Sequence, residues 1–315
     1  MHVVNRLLRH AFLATLLLPA AAIAQPQAIA GTRVTLEPPP GFVVADRFPG
    51  FMHTASGSSI MITEIPAPAG QMLAGFTREG LAARGMELRS SEPRTVDGLQ
   101  GVLMAITQSA AGTVYDKWML GFGNDSTVVL VTGTYPQARA AELGEAVKQA
   151  VLSARRNAAP PADPMEGLGY RIDPGPRLKI ATRVGNMLLI NETGTLPGPT
   201  HTPGPAAPVL VVASSLAPAD LSDLEAFSRA RVTQIDRTTR VSNVTGNAVT
   251  IDGAAAYEVF ADAVETESST AQRIYQVIIP DGDNYVIIQG MVGADGAADW
   301  IPYFQTVTRG LRRTR

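Results

Sequence analysis

Apolar residues in the first half of the chain recur at two spacings, which predict strands and helices in a definite order. Alternating or continuous apolar runs bounded by Gly, Asp and Asn are typical of strands, whereas repeats three and four residues apart are typical of helices. Strands are predicted at 51–54, 59–65, 86–93, 99–108, 113–122 and 127–135. Helices are predicted at 70–84 and 137–154.

Short turns separate the last four of these strands, and this predicts antiparallel hairpins. Two uninterrupted apolar runs, 128–131 and 286–288, indicate central strands that are buried on both faces. Such strands need helices on both sides of their sheet. The pattern therefore predicts an α+β fold in which an antiparallel sheet is flanked by helices on both faces, an α/β/α sandwich.

The same order of features returns in the second half of the chain. Three landmarks and their counterparts lie 155, 157 and 157 residues apart, namely Gly98 and Gly253, Trp118 and Tyr275, and Gly133 and Gly290. A final helix is predicted at about 297–311. Three landmarks in one order at nearly one offset indicate an internal repeat, so we expect two tandem domains.

The first 24 residues are predicted to be a signal peptide. Arg6 and Arg9 precede a short apolar core at 11–18, and Ala22-Ile23-Ala24 has the small-x-small pattern of a cleavage site. The core is shorter than the roughly 20 residues that a membrane-spanning helix requires. We therefore expect a periplasmic or secreted protein with no transmembrane segment after cleavage.

Segments rich in proline divide the rest of the chain. The first domain is predicted at 31–156, a Pro-rich linker at 157–168 and the second domain at 169–315. The second domain has a Pro/Gly-rich insertion at about 194–208, a composition typical of an exposed loop. The proline density of the linker indicates a semi-extended segment.

Composition excludes several kinds of function. The 315 residues contain no cysteine, which rules out disulfides, thiolate metal sites and cysteine nucleophiles. The net charge is −2, and the only basic cluster is Arg309, Arg312, Arg313 and Arg315. We interpret this tail as a cationic helix end, which suits the helix dipole. Nucleic-acid binding needs a basic face, so no nucleic-acid partner is expected.

Several short motifs of the first domain resemble the PsbP-like superfamily and, within it, the bacterial DcrB-like envelope proteins. They are Pro40-Gly41-Phe42, a helix ending at Gly85, the turn Val96-Asp97-Gly98, and Thr134-Tyr135-Pro136 before the last helix. The second domain departs from this pattern, because Met291-Val292-Gly293 replaces the Thr-Tyr-Pro motif. The resemblance implies a non-enzymatic binding or assembly role.

Histidine and serine offer little for catalysis. After the leader the chain has only His53 and His201, too few for a metal site, which needs several ligands. His53 is interpreted as a structural or surface residue and His201 as a solvated loop residue. The nearby segment 56–59 is predicted to be a hairpin turn, and no nucleophile elbow or phosphate-binding loop is present. No cofactor and no metal are expected.

Acidic residues leave two alternatives open. Glu258 and Asp262 would share one face of a strand, with Glu265 and Glu267 nearby, and paired carboxylates can perform acid–base chemistry. The other interpretation is a solvated strand face. Asp281-Gly282-Asp283-Asn284 suggests a calcium loop but lacks its later ligands, so a hairpin turn is predicted.

Two functional hypotheses follow from these patterns. The first is a non-enzymatic exported envelope protein that acts as a binding, assembly or scaffold factor, with another envelope protein or a small ligand held at the inter-domain surface. No catalytic, cofactor-binding or metal-binding residue is assigned under it. The alternative is an exported hydrolase with a carboxylate or Ser–His site, which requires His53 or the Glu258 and Asp262 pair to lie in a pocket. The sequence leaves the oligomeric state open.

Overall fold

The computed structural model describes residues 25–110, 112–157, 163–196, 204, 206–235 and 239–314. The predicted signal peptide and His201 lie outside the described residues. So do residues 158–162 of the predicted linker and residues 197–203 and 205 of the predicted insertion.

The first domain consists of strands and two short helices, followed by a long helix near its end. Its strands are β1 (Gln27–Ala28), β2 (Val34–Leu36), β3 (Val43–Val44), β4 (Gly50–His53), β5 (Ser58–Ile65), β6 (Met86–Val96), β7 (Leu99–Ala110), β8 (Thr113–Gly123), β9 (Val128–Pro136) and β10 (Arg155–Arg156). Its helices are α1 (Ala69–Ala74), α2 (Arg78–Ala82) and α3 (Ala140–Leu152).

The second domain follows a similar order. Its strands are β11 (Tyr170–Arg171), β12 (Lys179–Val184), β13 (Met187–Asn191), β14 (Val209–Ser214), β15 (Thr239–Ile251), β16 (Ala254–Glu265), β17 (Ala271–Asp281), β18 (Asn284–Gly293) and β19 (Arg312–Arg313). Its helices are α4 (Leu224–Val232) and α5 (Ala297–Arg309).

Each domain is built on one antiparallel sheet, which confirms the α+β class. In the described residues the first sheet has the order β3-β4-β5-β9-β8-β7-β6 and the second has the order β12-β13-β14-β18-β17-β16-β15. The two orders correspond strand for strand. Trp118 pairs with Gly133 in the first sheet, and Tyr275 pairs with Gly290 at the same place in the second.

The hairpin turns are where the sequence predicts them. Asp97 and Gly98 both have positive φ, 50° and 79°, and Asp252 and Gly253 repeat this at 48° and 74°. Two consecutive residues with positive φ are the requirement of a tight hairpin turn, and Asp and Gly tolerate it. In both sheets the strand before this turn also has a register shift near its beginning.

One face of each sheet carries a long helix. Side chains of α3, including Val147 and Val151, pack with Leu103, Leu120 and Phe122 in a fully buried cluster. In the second domain the corresponding cluster joins α5, through Phe304, to the inner faces of β17 and β18. Both helices have 13 residues.

The opposite faces carry much less helix, and the predicted sandwich with helices flanking both faces is not supported. Helices α1, α2 and α4 have only six, five and nine residues. They cover part of the sheet, where α2 contributes Leu81 to a small cluster with Met104. The outer strands β6 and β15 remain exposed along most of their length, although α2 packs near the beginning of β6 and α4 near the beginning of β15.

Two local predictions also need correction. The single helix predicted at 70–84 is two short helices, because the chain breaks after α1 and Thr77 begins α2 by accepting a hydrogen bond from the Gly80 amide at 3.0 Å. The basic tail is not simply a helix end. Arg309 closes α5, but Arg312 and Arg313 form β19 and pair with β11. No helix of the described residues has the length and apolar character needed to cross a bilayer.

Candidate functional site

An open groove of about 570 Å³ lies on the sparsely covered face of the first sheet. We call it the first-domain groove. Its apolar lining comes from α1, the loop after it and β7, and consists of Leu73, Phe76, Leu99, Val102 and Met104. This volume is within the range of about 300–1,000 Å³ that is typical of ligand-binding clefts.

Small residues of β7 and β8 lie at the first-domain groove. Val102 lines the groove, and its partner Gly121 contributes no side chain, so the Leu73 side chain packs directly on Gly121. Register places Tyr257 and Ile278 of the second sheet where the first has Val102 and Gly121. The groove therefore lies where two paired positions, Val102 and Gly121, are smaller than their counterparts in the second domain.

The rim of the groove is polar and held in place by a turn. Ser91, Gln100, Asn124 and Asp125 border the opening. Asn124 Oδ1 accepts hydrogen bonds from the backbone amides of Ser126 and Thr127, at 3.0 and 2.9 Å. A polar rim around an apolar floor is the usual arrangement of a protein-binding site.

In the second domain the corresponding space is filled by a side chain. Tyr257 is only 7% exposed and packs with Val232 and Val259. Its hydroxyl accepts a hydrogen bond from Arg229 Nη2 of α4 at 3.1 Å. Burial raises the pKa of Tyr257, and the hydrogen bond to Glu225 raises it further. Tyr257 therefore serves the fold of the second domain.

A second cavity, of about 230 Å³, lies between the two domains. Arg183 of β12 lines it, and its Nε and Nη1 donate to the carbonyls of Gly185 and Glu166 at 2.8 and 2.6 Å. Its Nη2 is buried and has no hydrogen-bond partner among the described residues. Burial lowers the pKa of Arg183 to about 10, with Tyr170 and Glu64 opposing the shift.

Polar contacts join the two domains near this cavity. Arg47 of the first domain donates from Nη1 to Asp281 Oδ2 at 2.8 Å and from Nη2 to the Asp281 carbonyl at 3.2 Å. The Gly31 amide donates to Glu166 Oε2 at 3.3 Å. Asp281 also lies 3.9 Å from Arg313 Nη1, so the contact continues into the end of the second domain.

The structure places His53 at the end of β4, next to the hairpin turn that leads to β5. Its Nδ1 and Ser56 Oγ are 2.7 Å apart, and Ser56 Oγ lies 2.8 Å from Ser58 Oγ. The other edge of the ring packs against Gly41, and the ring itself packs on Phe42 with centroids 5.4 Å apart. Among the described residues, no hydrogen bond joins His53 to a carboxylate, and Ser56 is its hydrogen-bond partner.

The two carboxylates singled out by the sequence have separate environments. Glu258 is 5% exposed and accepts hydrogen bonds from Asn247 at 2.9 Å and Gln305 at 3.2 Å. Asp262 pairs with Asn243, at 2.7 Å, and with Arg273, and these two partners lower its pKa. Four residues along an extended strand span about 13 Å, too far for the two carboxylates to act together.

Glu258 shares its surroundings with other buried polar groups. Thr308 of α5 is buried. Tyr275 lies beside Glu258 and Thr308, and burial raises its pKa. The corresponding place in the first domain is apolar, because Leu103 occupies the position of Glu258. The cluster is therefore a feature of the second domain alone. Its carboxylate oxygens are both occupied by side-chain amides.

The remaining acidic motif is a turn. Asp281 pairs with Asn284 across the β17–β18 hairpin, and Gly282 between them has a φ of 62°. The described residues hold no group of three or more His, Asp or Glu side chains that could bind a metal ion.

The apolar and polar pattern of the sequence does not reveal the first-domain groove. Its apolar residues lie on strands and helices whose patterns are those of ordinary core residues. A signal does exist in the predicted repeat: the sequence offset of 155 to 157 residues aligns Val102 with Tyr257 and Gly121 with Ile278. The difference in residue size at these matched positions marks the missing volume.

No protein family matches the sequence, and no curated protein matches it. Several solved structures are similar in fold, at low identity. PsbP (CyanoP) of Synechocystis sp. PCC 6803 is 15% identical with a TM-score of 0.32, over 44% of this chain and 95% of that one. LpqN of Mycobacterium tuberculosis, involved in cell envelope biogenesis, is 13% identical with a TM-score of 0.34, over 46% and 83%.

The immunity protein TplEi of the T6SS of Pseudomonas aeruginosa is similar over a longer stretch. It is 9% identical with a TM-score of 0.32, over 90% of this chain and 95% of that one. Similarity at this level does not carry a function from one protein to another, because function depends on the site rather than on the fold.

Proposed function

We propose that this chain is a non-enzymatic, exported envelope protein that binds a protein partner through the first-domain groove. In this proposal the signal peptide is residues 1–24, and the domains at 31–156 and 169–315 are two copies of one PsbP-like, DcrB-like unit joined by the linker at 157–168. The protein works in the periplasm or outside the cell. The partner inserts an apolar side chain between α1 and β7.

The observation that carries the proposal is the contrast between matched positions of the two sheets. Tyr257 is buried and bonded in the second domain, while Val102 leaves the same position open in the first. An open apolar groove loses the hydrophobic stabilisation that filling it would give. Burying an apolar side chain of a partner recovers that stabilisation, at about 25 cal/mol for each Å² removed from water.

The groove suits a partner better than the inter-domain cavity does. That cavity measures about 230 Å³, below the range of ligand sites, and the Arg47–Asp281 contact closes the domains beside it. The second domain then has a supporting role, because it fixes the orientation of the first.

The experiment compares the mature wild-type chain with a variant that fills the groove. Val102→Tyr copies the second domain and removes the space for a partner side chain. Each chain is purified gently from its own envelope fraction and weighed by native mass spectrometry. We expect a bound partner on the wild type that is lost from Val102→Tyr. The matched control is Ser109→Tyr, which adds the same ring on the same strand at an exposed position.

Two results contradict the proposal. One is a partner that stays bound to Val102→Tyr, and the other is a partner lost equally from Ser109→Tyr. The hydrolase alternative has its own test, since it requires turnover of ester or glycoside substrates that Ser56→Ala or Glu258→Gln abolishes. Turnover with that dependence would replace the binding proposal.

A further inference from the structure

The outer strand of the second sheet has an unusual edge. β15 is 13 residues long and lies at the end of its sheet, with β16 as its one neighbour in the described strand order. A register shift interrupts it between Ser242 and Thr245. From Thr245 to Ile251 the pairing with β16 is regular, which gives a run of about average strand length.

This regular run contains no charged residue and no proline. Its sequence is Thr-Gly-Asn-Ala-Val-Thr-Ile. Natural proteins protect exposed edges with charges, prolines, bulges or a covering segment, because an edge strand presents unpaired N–H and C=O groups to any other strand. Between Thr245 and Ile251 the edge has none of the first three.

In the first domain, the matched segment of the outer strand β6 is protected. Register aligns 245–251 of β15 with 90–96 of β6. There Glu92 and Arg94 form an ion pair at 2.5 Å with Pro93 between them. The two sheets thus share an architecture and differ in the protection of one strand.

We propose that β15 pairs with β15 of a second copy of this chain, antiparallel and centred on Ala248. A two-fold contact brings the same surface of both copies together, so the surface must be complementary to itself. The uncharged run 245–251 meets this condition, since self-pairing brings no like charges opposite each other. The net charge of −2 adds little long-range repulsion between copies.

The match with Pro93 also defines which backbone groups face outward. Pro93 pairs with Val102, and Ala248 pairs with Tyr257 at the corresponding position. A proline is tolerated in a strand only where its missing N–H would point away from the neighbouring strand. The N–H of Ala248 therefore points away from β16 and towards the second copy.

This geometry gives a substitution that blocks pairing and spares the fold. Ala248→Pro removes an outward donor and leaves the β15–β16 ladder intact, as Pro93 does in the first sheet. The mature chain is examined by size-exclusion chromatography with light scattering, up to about 0.1 mM, where a contact of micromolar Kd is saturated. We expect the wild type to have the mass of two copies and Ala248→Pro to have the mass of one.

Two further variants identify the occupant of the edge. Ala248→Lys and Ala248→Glu each place like charges opposite one another at the centre of the proposed contact, so each alone stays single. Mixing the two restores the paired mass if the partner is a second copy. Thr95→Lys, on the exposed edge of β6, is the control and is expected to leave the paired mass unchanged.

Three results of these experiments would overturn the proposal. A wild-type chain that stays single at the highest concentration overturns the proposal, as does an Ala248→Pro chain that still pairs while its thermal unfolding matches the wild type. A mixture of the Lys and Glu variants that fails to pair also overturns it. This test is independent of the first-domain groove, which lies in the other domain.

Discussion

The ring of Phe304 packs so closely on Gly290 that a Cβ atom on Gly290 would lie 2.5 Å from Cδ2 of the ring. This contact seats α5 on the centre of the second sheet. Gly133 has the same role in the first sheet, where Val147 of α3 lies directly over it. In each domain the long helix approaches its sheet at a glycine of the central strand.

We therefore predict that Gly290→Ala lowers the free energy of unfolding of the chain. The added methyl group must displace a fully buried ring, and overpacking of this kind costs about 1–3 kcal/mol. Urea unfolding followed by fluorescence measures it. Gly70→Ala is the control: its Cβ would meet nothing within 4 Å, and alanine is favoured over glycine in a helix. Equal losses in both variants would contradict the prediction.

Removing the contact between Arg47 and Asp281 should loosen the two domains without unfolding either. Both side chains are mostly buried, at 22% and 18% exposure, so the ion pair is better shielded than a surface pair. We expect Arg47→Met to broaden the distribution of distances between spin labels placed one in each domain. Arg94→Met, which breaks an ion pair within the first domain, should leave that distribution unchanged.

The second domain should lose stability in acid through Asp252. Its carboxylate accepts from the Arg313 amide at 3.0 Å, and this bond, with the Arg313 side chain, lowers the pKa of Asp252. A carboxyl with a lowered pKa in the folded state stabilises it above its ordinary pKa of about 4, and that contribution is lost as the pH falls through the lowered value.

The measurement is urea unfolding of the wild type and Asp252→Asn between about pH 6 and pH 2. Asparagine keeps an acceptor and tolerates the positive φ of 48°, so the variant tests the charge. We expect the difference between the two chains to shrink as the pH falls. A difference that stays constant across the range would show that the charge of Asp252 contributes nothing.

Lys117→Met should stabilise the first domain at neutral pH. Burial lowers the pKa of Lys117, and the matched position of the second sheet holds the fully buried Ile274. A lysine with a lowered pKa costs stability while it is charged, and the cost disappears as the pH rises past its ordinary value. We expect a gain in the free energy of unfolding at pH 7 that becomes smaller near pH 11, where the ammonium group is neutral in both states.

Lys117 also donates to Gln108 Oε1 at 2.6 Å, which Lys117→Met removes. Gln108 is half-buried, so water can replace the lost donor. A loss of stability at pH 7 would mean that this hydrogen bond outweighs the cost of burying the ammonium group. Unfolding in urea at the two pH values distinguishes the results.

The long strands were predictable because their signals are local. Alternation and Asp-Gly turns locate β6, β7, β8 and β9 to within a few residues. The short strands β1, β10, β11 and β19 have two residues each, and they exist only because distant segments meet. Nothing in Arg312 and Arg313 themselves indicates that they leave the helix and pair with Tyr170 and Arg171.

For a related reason, the lengths of the helices and the presence of the first-domain groove could not be predicted from the sequence. Leu73, Phe76 and Leu81 have helical spacing, yet Thr77 begins a new helix between them. The groove depends on the volume left between α1 and β7, which is a difference between side chains far apart in the sequence. Buried Glu258 was visible as an acid, but only the fold shows that Asn247 and Gln305 bind it.

The pairing of Tyr170 with Arg313 has a mechanical consequence. The second domain begins and ends at the same point of its surface, because β11 and β19 run antiparallel there. A force that pulls the two ends apart would act across this ladder and open its bonds one after another, as a zipper opens. Tension along the chain would therefore peel away β19 and release Asp252 before it disturbed the seven-stranded sheet.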